Sequence, residues 1–266
     1  MLPLRNNVLC YLSCVVFLLL SCSDKPTVDT PHDEDPYTDL RQLSAQTPRA
    51  NEEAELMAIW LSNEIVAPDS LYEELSGKVG TLRAGLTATV PELGQIEFIL
   101  PVPESKLIVD LADSAAQEFR AGSYDAWDTL NALLGVTSID TNSHFDYFRM
   151  VVLAFSGRYN PHKVETWYLE LPGVGYASTS GRAGDWSVLL PWYVDGELVF
   201  FLREGSGDCP SGCLHSEVWY FRPAGESYSL SDTWSSCAEL PCDPAPGWYA
   251  EWQAAKHRYF YWFDYQ

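Results

Sequence analysis

The chain has 266 residues, 37 acidic against 16 basic side chains, and a formal net charge of −21. A 47% hydrophobic and 20% charged composition excludes a wholly disordered chain. The length allows one large domain or two small ones, each with a core of its own. The acidic excess argues against nucleic acid and anionic lipid as partners, because every phosphate contact would oppose the field of the whole molecule.

Residues 1–22 read as an address. Arg5 supplies the positive start and Val8 to Leu20 an apolar stretch too short for a comfortable membrane span, with the small Ser21 after it. Leu19-Leu20-Ser21-Cys22 resembles the bacterial lipobox, in which signal peptidase cuts before a cysteine whose thiol carries diacylglycerol. The resemblance implies a signal peptide over 1–21, lipidation at Cys22 and a cell-envelope location, the outer membrane first. Several acyl chains together give stable anchoring. Cys14 fits this pattern less well, since Tyr11 stands three residues before it; a plain signal peptide and an uncleaved anchor are the alternatives. Residues 22–50, with Pro26, Pro31, Pro36, Pro48 and the run Asp33-Glu34-Asp35, predict an extended acidic tether.

Leu56, Ile59, Trp60 and Ile65 predict a helix over 51–65, with Asn51 as cap and Glu52, Glu53 and Glu55 in its first turn. Pro68 opens a second, short helix over 69–76, ending near Gly77. Strands are predicted over 95–100, 106–111, 136–142, 147–155 and 174–178. Between them lie a helix over 124–134, ended by Gly135, and one from Asn160-Pro161 to about Leu169, after which Leu171-Pro172-Gly173 breaks the chain. Asp110, Asp113 and Glu118 read as wet surface. The order strand-helix-strand, strand-helix-strand over about 106–180 is the split βαβ pattern of a ferredoxin-like module.

The last third reads as antiparallel β. Strands over 186–193 and 197–203 flank Asp195-Gly196, a strong hairpin signal, and a further strand covers 217–222. Residues 235–246 read as coil. Residues 248–266 carry nine aromatics, and 259–265 alternate as a closing strand. Its core role is weighed against an aromatic platform for sugars or a protein, with Tyr259, Tyr261 and Trp262 as the candidate binding residues. The whole is α+β: a helical lead-in and ferredoxin-like module over 51–182, then an antiparallel β module over 183–266.

Cys209, Cys213, Cys237 and Cys242 remain after the leader and Cys22, an even number that reads as disulfides in an exported chain. Three connectivities are open; Cys209–Cys213 with Cys237–Cys242 is favoured because each closes a short loop of turn residues. Zinc held by these thiols and His215 is the competing reading, but C-x3-C and C-x4-C are not the usual spacing.

Phe148 to Phe155, Asn160-Pro161 and Leu171 to Ala177 resemble the second half of subtilisin propeptides, small ferredoxin-like modules that inhibit the protease. The chain is also similar to a group of bacterial exported lipoproteins that share the LPGVxYA phrase and the Gly207 to Cys213 phrase. No nucleophile elbow, zinc-protease motif, P-loop or dinucleotide fingerprint is present. No cofactor is expected, and His215 beside Asp208 and Glu217 is the one acid–base candidate. The expectation is a non-enzymatic binding module, specifically a propeptide-like protease inhibitor; glycan binding through the C-terminal aromatics and an enzyme of unknown type are the alternatives.

Overall fold

The computed structural model describes residues 47–101, 104–141, 149–179, 187–207, 215–237, 240–241 and 244–260. The architecture is α+β, with helices and two antiparallel sheets. Helix α1 spans Glu52–Ser62, where the Asn51 side chain accepts from the Ala54 amide and three glutamates meet the positive end of the helix dipole. Helix α2 spans Asp69–Thr89, much further than predicted. Glycines inside a helix each cost roughly 1 kcal/mol, yet Leu75, Val79, Leu82 and Leu86 keep one apolar stripe running past them. A 3-10 turn, Pro91–Gln95, follows. Residues 96–100 form no strand: Phe98 and Leu100 are buried, but the Phe98 amide donates to Glu53 Oε1 at 2.8 Å instead of to a ladder.

Strands β1 (Lys106–Leu111), β2 (Val136–Thr141), β3 (Met150–Phe155) and β4 (Val174–Ser178) form a four-stranded antiparallel sheet in the order β2-β3-β1-β4. Helices α3 (Asp113–Ala121) and α4 (Asp128–Leu134) connect β1 to β2, and α5 (Pro161–Leu169) connects β3 to β4. Helix α3 falls where the sequence suggested acidic surface; it buries only Ala115 and Ala116, so it has almost no apolar stripe to read. The expected helix start at Tyr124 lies instead in the turn before α4, where Tyr124 and Trp127 are buried edge to face. Gly173 has φ +82, and a Cβ there would lie 2.5 Å from that of Ala115, so the break before β4 requires glycine.

Strands β5 (Val188–Val194), β6 (Glu197–Ser206), β7 (His215–Ala224), β8 (Ser227–Cys237) and β9 (Leu240–Pro241) run as a five-stranded meander in chain order. Asp195 and Gly196 both have positive φ, as the predicted two-residue hairpin requires. The coil expected from residue 235 is therefore partly strand: Ser235 and Ser236 sit in the β7–β8 ladder. Helix α6 (Tyr249–Phe260) replaces the start of the strand expected over 259–265. Trp248, Trp252, Ala255 and Tyr259 recur at helical spacing, and Trp252, Ala255 and Tyr259 are 0–2% exposed. The dense aromatic run masked that period. Residues 261–265 lie outside the described residues.

One buried cluster joins α1, α2 and α6 to the five-stranded sheet. Trp248 and Trp252 meet Phe201, and Trp60 meets Phe98, Trp192 and Tyr259. The helices expected to lead into the first sheet thus pack on the second. The four-stranded sheet and its helices bury a set of their own, including Leu107, Val109, Val151, Leu153 and Trp127. The Leu189 amide reaches the Glu97 carbonyl at 3.4 Å, so the ends of the chain on either side of the four-stranded sheet's described elements meet at the larger core.

Candidate functional site

Two regions offer chemistry beyond packing. The first is a cleft of about 240 Å³ at the far end of the five-stranded sheet. Successive strand residues point to opposite faces, so Glu204 and Ser206 share one face of β6 while His215 and Glu217 share that face of β7. The ladder sets Glu204 directly opposite Glu217, Ser206 opposite His215 and Ser235 beside Glu217, and all five line the cleft. Ser216, 8% exposed, lines it too; its Oγ accepts from Arg203 Nε at 3.0 Å and Nη2 at 2.6 Å. His215 and Glu217 of the sequence-based acid–base pair are therefore brought together, while Asp208 lies outside the described residues. Sequence reasoning missed Glu204 and Ser206 because the predicted strand ended at residue 203, whereas β6 runs on to Ser206 and carries both onto the β6–β7 ladder.

The second is the outer face of the four-stranded sheet. Leu107 and Val109 pair with Leu153 and Val151, all fully buried on the helix side, where Phe155 meets Tyr168 of α5. The alternate residues Ile108, Met150, Val152 and Ala154 are only half-buried, and Tyr176, opposite Asp110, is 55% exposed. No helix among the described residues is placed over them by a ring contact or hydrogen bond, so a mixed apolar strip flanked by Asp110 and Asp140 faces outward.

No protein-family model, curated protein or solved structure matches this chain. The sites rest on geometry alone. Among the described residues, no group of three or more His, Cys, Asp and Glu side chains is placed to hold a metal ion, and no helix is long and apolar enough to cross a membrane. Cys22, Cys209, Cys213, Cys242, Tyr261 and Trp262 lie outside the described residues; Cys237 ends β8, its backbone opposite His215. Tyr259 is 1% exposed, packs on Trp60 and Phe98 and donates its hydroxyl to the Ile99 carbonyl, which is a core position and not an exposed platform.

A buried polar group lies at the N-terminus of α5. Asn160 caps the helix and His162 is 6% exposed, with its Nδ1 3.9 Å from Glu165 Oε2. Burial pushes the His162 imidazole down to about 4. Burial also raises the Glu165 carboxyl, against a backbone hydrogen bond from Thr179 that lowers it.

Proposed function

We propose that this protein is a cell-envelope lipoprotein, anchored through acyl chains on Cys22, and that its folded part is a non-enzymatic binding module. Within that role, the 106–180 module acts as a propeptide-like inhibitor of a subtilisin-type protease. The observation that carries this reading is the outward strip Ile108–Val152–Met150–Tyr176 on a sheet whose other face holds the helices. A reading as ferredoxin-like is supported by the strand order β2-β3-β1-β4 with helical crossovers. Such a module presents its sheet face to the enzyme and the segment after its last strand, here from Ser178 onward, to the cleft.

Titration of the full mature protein against subtilisin-type proteases is the test. Hydrolysis is expected to fall at micromolar protein, and Val152→Arg is expected to weaken inhibition about tenfold or more. Val152 sits between Ile108 and Asp140 at the centre of the strip, so a charge there disrupts docking while pointing away from the core. Unchanged hydrolysis at micromolar protein excludes the inhibitor role. Cys209–Cys213 and Cys237–Cys242 are proposed to be disulfides. Intact mass spectrometry of membrane-extracted protein, before and after reduction, is expected to show acylation at Cys22 and the mass gain of two reduced bonds. A free Cys22 thiol rules out the anchor.

A further inference from the structure

We infer that strand β2 is a self-association edge, along which a second copy of this chain lays its own β2 antiparallel and joins the two four-stranded sheets across a two-fold axis. The inference concerns a strand edge and is independent of the docking reading, whose outward strip it leaves exposed.

The first argument is what the sheet edges carry. An open edge is a template for another strand, and proteins cover, shorten or charge it. Ala177 of β4 is 0% exposed, and two residues on the Thr179 amide donates to the Glu165 carboxylate. The Leu189 amide of β5 donates to the Glu97 carbonyl. Strand β9 is two residues long and ends on Pro241. Strand β2 is six residues long and last in its sheet, and no described strand pairs with its other side. It holds no proline or lysine, and Val136, Thr137, Ile139 and Thr141 are β-branched. Residues 139–141 are exposed, Ile139 to 41%. Its one charge, Asp140, accepts from Ser138 Oγ at 2.9 Å.

The second argument is the direction of the backbone groups. The Leu111 amide donates to the Arg149 carbonyl and the Phe155 amide to the Ser105 carbonyl, so the odd-numbered residues of β3 turn their N–H and C=O to β1. The even-numbered ones turn to β2, where Ser138 lies opposite Ala154 and Asp140 opposite Val152. The N–H and C=O groups of Thr137, Ile139 and Thr141 therefore point away from the sheet, as a second strand requires.

The register then names the occupant. Centred on Ile139, two copies of β2 set Ile139 against its counterpart, Thr137 against the partner's Thr141, and Ser138 against the partner's Asp140. Apolar contact, a threonine pair and a hydroxyl facing a carboxylate are each favourable across strands. Centring on Asp140 would oppose two carboxylates, and centring on Ser138 would run the ladder into the bulge between Val136 and Ser138. One patch thus complements itself, as an isologous interface must. With the other edges covered or short, the pairing stops at two copies instead of growing a filament. A net charge of −21 on each copy opposes contact, but physiological salt screens it beyond about 8 Å. A single ladder over 137–141 is small beside the ~1,200 Å² of stable complexes, so the pairing is reversible.

Disulfide trapping in the full mature protein tests this. Hydrogen-bonded residues directly opposed on antiparallel strands have Cα atoms about 5.5 Å apart, within reach of a disulfide. Ile139→Cys under a mild oxidant is expected to give a covalent dimer on a non-reducing gel. Thr137→Cys and Thr141→Cys, which keep Ile139, are each expected to stay monomeric alone and to cross-link when mixed. The unsubstituted protein and Leu230→Cys, at a position 45% exposed on the other sheet, are expected to stay monomeric. Monomers alone from Ile139→Cys or from the mixture would leave the edge to a strand of another protein and overturn the assignment. Bands larger than a dimer, or equal cross-linking of the unsubstituted protein or of Leu230→Cys, would overturn it as well.

Discussion

Arg158→Ala is expected to destabilise the protein by about 3 kcal/mol or more, the cost of removing one partner from a buried ion pair. Arg158 lies just after β3 and reaches back to α1, where its guanidinium contacts Glu55 at 2.7 Å and Glu52 at 2.6 Å. The Glu55 side chain is 7% exposed, so truncation strands a carboxylate away from water, with the Arg49 amide still donating to its Oε2 at 3.1 Å. Glu52 is 60% exposed, and its share is small. Next to this pair the Asn160 amide donates to the Ile65 carbonyl at 2.8 Å, and its side chain to Asn63 Oδ1 at 3.0 Å. These bonds fasten the turn between β3 and α5 to the larger core. Urea denaturation checks the value. Arg158→Met combined with Glu55→Leu is expected to recover most of the loss, because well-packed apolar replacements of both partners are close to neutral. A single-mutant loss below about 1 kcal/mol shows that the pair is effectively solvated.

The physics of individual residues decides which parts of this fold are legible in the sequence. Strands β1 and β4 and helix α5 match their predicted spans, because apolar runs end at turn residues and Asn160-Pro161 is a local start signal. The Asp195-Gly196 hairpin is likewise local. Helix α3 is illegible because only two alanines are buried. Strand β8 is illegible because serines and aspartate dominate a strand with much of its length in solvent; its partner β7, rather than its composition, holds it. The pairing of α1 and α2 with the second sheet depends on contacts more than a hundred residues apart in the chain, such as Tyr193 Oη with Glu74 at 3.2 Å. The cleft was half legible: His215 and Glu217 were adjacent in sequence terms, whereas Glu204 joins them only through the β6–β7 register.

Acidification from pH 7 to 4.5 is expected to cost about 2–3 kcal/mol through His162 alone. The folded imidazole titrates at about 4 and the unfolded one at 6.5. Between those values the unfolded chain binds a proton that the native state excludes, so stability is complete above 6.5 and falls as the pH drops toward 4. Desolvation is the cause, since His162 sits at the buried start of α5. Glu165 acts in the opposite sense: a raised carboxyl pKa means that the native state gains relative stability as that group protonates. The large His162 displacement outweighs it. Denaturation of the wild type and His162→Gln at both pH values isolates the effect, since all other carboxylates cancel in the difference. The glutamine variant is expected to lose about 2–3 kcal/mol less on acidification. Equal losses in the two proteins would mean that His162 takes up its proton in the native state, through opening of the α5 N-terminus or pairing with Glu165.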